Sequence, residues 1–583
     1  MPGFFVSNVN TSIQLRDMYE KKCISGRLDL SGKGAVVRQT LNKFLQDKAF
    51  SETEDLVVVI EGYLLNKLEL FKKYGVTSTA KLVQVLFKEL GEQFFKSFRG
   101  CFSGAVFHKE KRKWIVFTNQ IGDNPVFYFF EDGLFAAGSQ VQYILDFCKE
   151  KGIALSFNEE CAYQMLTYGF MAGDDTYACQ IKRLHGGDYI VASDKGIEVK
   201  TYHRFEAHPD RLSGKTELEI IELIDQSFRN AVRVEWETDE EYGYLHLADL
   251  SGGLDSRMNL WVAHEMKDRH ATVLTYSKQG ELDEEISKQI ASYWQDELLF
   301  KPLDDISFME DIDDNTELLG GLSLYSGITG GKRLLETLDL SRYGIEHTGM
   351  VGDIALGSFY HSEAERTGKN PTGRYSEKLS DKLSDRIKNL PKIYNDYEVF
   401  LMYVRGFHGA CNSHLIRRNY TEVGSPFLNI DFMQLCFDIP VELRMYHNIY
   451  KKWIIAKYPQ ATQFKWEKLG GKITESPVRS KIRVMLKRGP KKVLKVIGIK
   501  TKDTHGMNPI DYWLSNNAKM KAYLDDYQKK GIEQWKYLFS QELVHDLNRL
   551  YSTGNAWEKS MVLTVLASAK LYFGDMRNGE RSI

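Results

Sequence analysis

None of the seven cysteines (Cys23, Cys101, Cys148, Cys161, Cys179, Cys411 and Cys436) pairs with another in a CxxC spacing. Neither a zinc site nor a disulfide framework is therefore expected. Twelve prolines in 583 residues are too few for long disordered linkers. No apolar run can cross a bilayer, since the longest, at 56–65, is interrupted by Glu61. No basic segment followed by an apolar core opens the chain, so no secretory signal is expected and the cytoplasm is the expected location. A dominant charge is missing too: the net charge of −2 points to neither a membrane nor a nucleic-acid partner. The local exception, 481–502, holds nine Lys or Arg and no acid. Its charges alternate with Ile482, Val484, Leu486 and Val493, which reads as a solvated helix face rather than a grip on RNA.

Ordinary hydrophobic (43%) and charged (27%) content, with this length, implies a soluble chain of two to four domains. Residues 1 to about 205 are rich in β-branched and aromatic runs, at 56–60, 105–107, 114–117, 126–130 and 189–192, interrupted by a helical pattern at 79–98. From Thr216 the pattern alternates: helix 216–233, strand 244–250, helix 256–266, strand 271–277, helix 283–294. Such alternation implies a parallel sheet with its ligand site at the carboxyl ends of the strands. Beyond about residue 306 the chain reads as mainly helical.

One string carries the chemistry: Ser251-Gly252-Gly253-Leu254-Asp255-Ser256-Arg257, after a strand and opening a helix. Glycines let backbone approach a ligand, and amides at a helix start favour phosphate. Asp255 would repel phosphate by itself, so its expected role is to hold Mg2+ bridging phosphate oxygens. No Lys follows the glycines, which excludes the GxxxxGK[ST] loop. A second element, Gly349-Met350-Val351-Gly352-Asp353, offers another carboxylate between glycines. Two aspartates on separate loops can clamp one cation on a nucleotide.

Together these strings resemble the asparagine synthetase superfamily, which includes β-lactam and carbapenam synthetases and lasso-peptide cyclases. The first string is similar to its SGGxDS loop. The second is similar to its GxGGDE loop, with Val351 for Gly and Ile354 for Glu. Glu422-Val423-Gly424-Ser425-Pro426-Phe427-Leu428-Asn429 resembles EvRxPFLD, Asp283-Glu284 its DE helix, and Lys451-Lys452-Trp453-Ile454-Ile455 its KxxLR. The resemblance implies an α/β multidomain chain. An N-terminal-nucleophile-hydrolase-like αββα sandwich (1–205) would precede a PP-loop synthetase domain of the adenine-nucleotide α-hydrolase type (206–480). A basic helical extension (481–583) would pack on the synthetase domain. It implies ATP and Mg2+. Leu250, Ser251, Gly252, Gly253, Asp255, Ser256, Ser277 and Gly349 would bind ATP, with Leu250 and Ser277 on the adenine and ribose side. Asp255 and Asp353 would carry the metal. Lys452, or Lys451 in the alternative register, and Glu422 are the candidate catalytic residues. His347, His408 and His414 are read as satisfied structural histidines.

Departures from the family matter equally. Pro2 stands where the glutaminase half carries its nucleophilic Cys, Glu61 where it carries an oxyanion-hole Asn, and Ser78 where it carries the acid that grips the substrate amine. Met350 replaces the Glu or Tyr of the synthetase site. The expected activity is an ATP-dependent, AMP- and pyrophosphate-forming amide ligase without its own glutamine hydrolysis. It would join a small-molecule, peptide or glycan carboxylate to an amine, with no membrane or nucleic-acid partner and a homodimer compatible with the sequence. The alternatives are an asparagine synthetase acting on aspartate and a tRNA-modifying PP-loop enzyme.

Overall fold

The computed structural model describes residues 2–15, 23–30, 32, 34–267, 269–327, 331–360, 362–366, 373–476 and 506–574. The basic segment 481–502 lies outside the described residues.

The amino-terminal half folds around two antiparallel six-stranded sheets. Their strands are β1 (Gly3–Ser7), β2 (Cys23–Asp29), β3 (Ala35–Leu41), β4 (Ala49–Glu52), β5 (Leu56–Leu64), β6 (Gly100–His108), β7 (Lys113–Thr118), β8 (Phe127–Glu131), β9 (Leu134–Gly138), β10 (Ile181–Arg183), β11 (Asp188–Ser193) and β12 (Gly196–Thr201). One sheet runs β10-β8-β9-β1-β3-β2 and the other β12-β11-β7-β6-β5-β4. Phe4, Val6 and Val36 meet Val57, Val59, Ala105 and Val116 between the sheets. The opposite faces are covered by helices. Helices α1 (Lys67–Tyr74) and α2 (Thr79–Leu90) close one side through Leu70, Leu82 and Leu86. Helices α3 (Val141–Glu150) and α4 (Glu159–Tyr168) close the other. The result is an αββα sandwich, in which alternating side chains serve the core between sheets and the core under helices.

The second half is built on a parallel sheet. Helix α5 (Glu217–Tyr242) starts with a capping box in which Thr216 and Glu219 satisfy each other's backbone, and stops at Gly243 in the left-handed region. It runs nine residues beyond the expected end, through an acidic stretch that carries little apolar periodicity. Then follow β13 (Leu245–Asp249), α6 (Asp255–Met266), β14 (Ala271–Ser277), α7 (Leu282–Trp294), β15 (Glu297–Pro302), α8 (Ile312–Leu318), β16 (Tyr343–His347) and β17 (Val423–Gly424). The sheet order is β15-β14-β13-β16-β17, all parallel. The last two strands fall in the stretch expected to be helical. The chain moves outward from β13 on one side and returns on the other, so β13 and β16 flank a topological switch point, where a ligand crevice forms.

Buried polar contacts join the halves. Lys43 Nζ donates to the Leu340 and Tyr343 carbonyls and to Thr421. Arg418 pairs with Asp123 at 2.8 Å, and Lys48 with Glu422 at 3.0 Å. The sequence led to the expectation that the carboxyl-terminal helices pack on the parallel-sheet half alone, and they do not. Helix Ala556–Phe573 packs against α4 as well as α8, with Phe573 5.9 Å from Phe157 and Tyr572 5.7 Å from Tyr177. Its apolar residues go all round, Met561 to Ala569 being buried, which suits a helix enclosed on every side.

No described helix is long and apolar enough to cross a membrane. The Lys48–Glu422 contact makes a stability prediction. Lys48 is buried between Glu422 and Glu61, so Lys48→Met leaves uncompensated carboxylates in the core. It should cost about 3–5 kcal/mol in urea unfolding, with much of that recovered by adding Glu422→Gln.

Candidate nucleotide site

At the switch point the first loop spans residues 250–254 and the second 348–352. Much of the first loop is satisfied internally. The Ser251 amide donates to Ser256 Oγ at 3.0 Å, and the Gly253 amide to Ser251 Oγ at 3.2 Å. The Gly252 amide donates to Asp283 Oδ1 at 3.0 Å, which gives the Asp283-Glu284 pair a structural role. Gly252 is therefore not one of the anion donors expected of it. A Cβ there would stand 2.8 Å from Glu467 Cβ, so the glycine admits the neighbouring wall rather than a ligand. The donors left for an anion are first-turn amides of α6, which have no intrahelical partner.

The second loop closes directly on α6. A Cβ on Gly349 would lie 2.3 Å from the Ser256 nitrogen, and one on Gly352 2.7 Å from Asp255 Cγ. Only glycine allows that approach. Asn259 Nδ2 donates to the Thr348 carbonyl at 2.9 Å, and Ser425 Oγ to the Met350 carbonyl at 3.1 Å. Val351 has φ +63°, the conformation of the glycine it replaces, and so carries strain that a β-branched residue rarely sustains.

These contacts bring Asp255 and Asp353 together. Asp255 Oδ2 accepts the Asp353 amide at 2.9 Å and Oδ1 accepts the Tyr450 hydroxyl at 2.9 Å. Burial first, then the charge of Asp353, push the Asp255 carboxyl well above the usual carboxylate range. Asp353 itself opens to solvent in the cavity. Two carboxylates with spare lone pairs, facing a cleft, match what a hard divalent cation takes when phosphates supply its other oxygens.

The cavity between the loops has a volume of about 600 Å3. Leu250, Ser251, Gly253, Asp255, Ser256, Gly349 and Asp353 line it; Gly252 and Ser277 do not. Ser277 is buried and turns its hydroxyl to the Lys278 carbonyl. Its β14 neighbour Tyr276 faces the cavity instead, as β-strand alternation requires. Tyr276 joins Asp249 and Arg417, a group not singled out from sequence. Arg417 bridges Asp249 at 2.8 Å and Glu346, while burial lifts Glu346 to about 8 despite Arg417.

The candidate catalytic residues are not in this cavity. Lys452 points away and pairs with Glu217 at 2.5 Å, because its face of the helix Asn448–Lys457 meets α5 rather than the site. Lys451 does not line the cavity; burial and the nearby charge of Lys468 lower its pKa. Glu422 is buried in its ion pair with Lys48. The lysine that lines the cavity is Lys468, exposed beside Asp353 and carried by the segment after Tyr458. Its neighbours His447, Trp466 and Glu467 line it too. No spacing marked them; the basic and aromatic run Lys465-Trp466-Glu467-Lys468 was the available signal. Met350 lines the cavity, where it offers no acid or base.

Of the three histidines expected to be satisfied, His347 is, whereas neither ring nitrogen of His408 finds a hydrogen-bond partner among the described residues. His408 and His414 are fully buried, and burial keeps both neutral. His347 lies between Glu235 (2.8 Å) and Asp239 (2.9 Å), stacked 4.2 Å from Trp236. In the other half, burial raises Glu61 to about 7 against the pull of Lys48, and raises the Cys101 thiol well above its usual value. Cys101 is therefore no nucleophile.

A two-carboxylate cleft thus sits at the switch point of a parallel sheet that is joined to an αββα sandwich. Residues 45–203 match the glutamine amidotransferase domain family. The putative asparagine synthetase [glutamine-hydrolyzing] 2 of Methanocaldococcus jannaschii is 25% identical over 218 residues, covering 37% of this chain and 41% of that protein. Asparagine synthetase B [glutamine-hydrolyzing] of Escherichia coli is 22% identical over 218 residues, 36% of this chain and 32% of that protein. Asparagine synthetase [glutamine-hydrolyzing] 2 of Bacillus subtilis is 25% identical over 258 residues, 40% and 32%. Over these stretches the chain is similar to asparagine synthetases. Its matches span between about a third and two fifths of these relatives' lengths. Among solved structures, the glutamine phosphoribosylpyrophosphate amidotransferase of B. subtilis aligns with 48% of this chain and 61% of that chain at 10% identity. Its TM-score of 0.23 is too low to bear on the fold.

The His347 cluster makes a pH prediction. Burial opposes its charge, but Asp239 and Glu235 outweigh that and hold its pKa at about 9. Because the folded pKa exceeds the unfolded one of ~6.5, this stabilisation is complete below pH ~6.5 and is lost as pH rises through about 9. Urea midpoints should fall between pH 6.5 and 9.5, and His347→Gln should flatten that fall.

Proposed function

We propose that this protein is an ATP-dependent amide ligase that forms AMP and pyrophosphate and hydrolyses no glutamine of its own. The observation that carries the reading is the convergence of Asp255 and Asp353 at the mouth of a nucleotide-sized cavity. In the first step a substrate carboxylate oxygen attacks the α-phosphorus of ATP and pyrophosphate leaves. In the second an amine attacks the acyl carbon, loses a proton, and AMP leaves.

Asp255 and Asp353 would hold Mg2+, which supplies charge neutralisation on the phosphates. First-turn amides of α6 would take phosphate oxygens. Lys468 stands where charge grows on the departing phosphates and on the tetrahedral acyl centre. Tyr450 fixes the Asp255 carboxyl by its hydrogen bond. Support for a silent glutaminase half comes from Glu61, whose carboxyl is turned to Lys48 and Arg38, and from Pro2 and Ser78 at the positions implied for the nucleophile and the amine-binding acid.

An asparagine synthetase acting on aspartate is the second reading, favoured by the names of the relatives. Met350 weighs against it, since its own side chain offers the cavity neither an acid nor a base. The tRNA-modifying reading rested on 481–502 and gains nothing from the described residues.

ATP–pyrophosphate exchange against a panel of carboxylic acids tests the reading. Asp255→Asn and Asp353→Asn should each lower exchange by a factor of about 10³ or more, and Lys468→Met by about 10². Lys452→Met should stay within about twofold, because its Glu217 partner is a surface pair. Exchange surviving both aspartate changes would sink the metal assignment, and strict dependence on aspartate would favour the second reading.

A further inference from the structure

Beside the nucleotide cavity lies a second chamber of about 280 Å3. The two share Asp353, Ile354, Ala410, His447 and Lys468, so they communicate where the acyl group would react. The far wall is apolar, formed by Phe170, Leu319, Leu324, Phe359 and Ile416. Into it projects one strong cation, Arg405, on a π-helical turn spanning Met402–Phe407. Among the described residues, no hydrogen bond or ion pair engages its guanidinium, and its electrostatic neighbour is Asp353. Arg417, which lines the adjoining nucleotide cavity, is by contrast engaged by Asp249 and Glu346.

A half-buried guanidinium that makes no hydrogen bond or ion pair among the described residues, with Asp353 as its electrostatic neighbour and an apolar far wall beside it, is stabilised by a ligand that supplies an anion. Its planar fork suits a carboxylate or phosphate. The reacting carboxylate must keep an oxygen lone pair free for phosphorus, and Lys468 already stands at the junction for that group. We propose that this chamber is the acyl-substrate site, that its ligand is an acid with an apolar body and a second anionic group, and that Arg405 binds that second group. The proposal rests on the adenylating reading for the first carboxylate. It adds a size and charge that the nucleotide site does not specify.

The test measures binding, which needs no turnover. Suberate and octanoate, equal in carbon number and differing by one carboxylate, are titrated calorimetrically into the full chain with Mg2+ and a non-hydrolysable ATP analogue. Wild type should prefer suberate by about tenfold or more, Arg405→Met should erase the preference, and Arg405→Lys should keep part of it. Unchanged affinity for the ATP analogue shows that each variant is folded. Equal binding of the two acids by wild type, a preference that survives Arg405→Met, or binding of neither acid would each overturn the proposal. Failure of pyrophosphate exchange with the preference intact would instead count against adenylation alone.

Discussion

The hydrogen bond from the Asp353 amide to the Asp255 carboxylate ties together everything functional in this chain. It joins two loops almost a hundred residues apart in sequence, and it can form because the second loop carries glycine at the contact. Gly349 and Gly352 let the second loop lie on the first turn of α6 with no Cβ between them. The consequence is electrostatic. A half-buried carboxylate is set beside a second, exposed one, a position stable mainly when the outer charge is shared with a cation or a proton. Tyr450 supports the arrangement, the strain at Val351 is one of its costs, and the sheet holds both loops in register through β13 and β16.

From that point the rest of the architecture follows. The switch between β13 and β16 opens the cleft, and the segment carrying Trp466, Glu467 and Lys468 covers it. The Glu467 amide is bonded to the Gly252 carbonyl, so the cover is fastened to the Ser251–Leu254 loop itself. Arg257, buried under that loop, donates to the Gly252 and Lys465 carbonyls and pins the two segments together. The sandwich half meets the parallel-sheet half through Lys48, Glu61 and Glu422, charged groups buried against one another.

Some of this was legible in the residues and some was not, for physical reasons. Strand 271–277 and the helix opening at the SGGLDS string were readable because apolar periodicity and turn chemistry agree there. That Asp255 and Asp353 lie side by side was readable only from the two strings taken together, since a Gly-Asp turn by itself marks little more than a bend. Strand β16 was not, since its sequence, Tyr343-Gly344-Ile345-Glu346-His347, looks like a polar loop. Glu346 and His347 are buried there only because Arg417, Glu235 and Asp239 come from elsewhere to satisfy them. Lys452 was favoured by a motif whose helix turned that side chain toward Glu217. Lys468 and Arg405 lacked any local pattern, because what singles them out is a shared cavity and, for Arg405, the lack of a partner.

The account's central claim is that Asp255 and Asp353 form a divalent-cation site on bound ATP. Calorimetric titration of ATP into the full chain, once with Mg2+ and once with EDTA, addresses it without knowledge of the acid or the amine. The account predicts that chelation weakens ATP binding by about tenfold or more, and that Asp353→Asn brings the Mg2+ titration down to the EDTA value. ATP affinity that is the same with and without Mg2+ would contradict it.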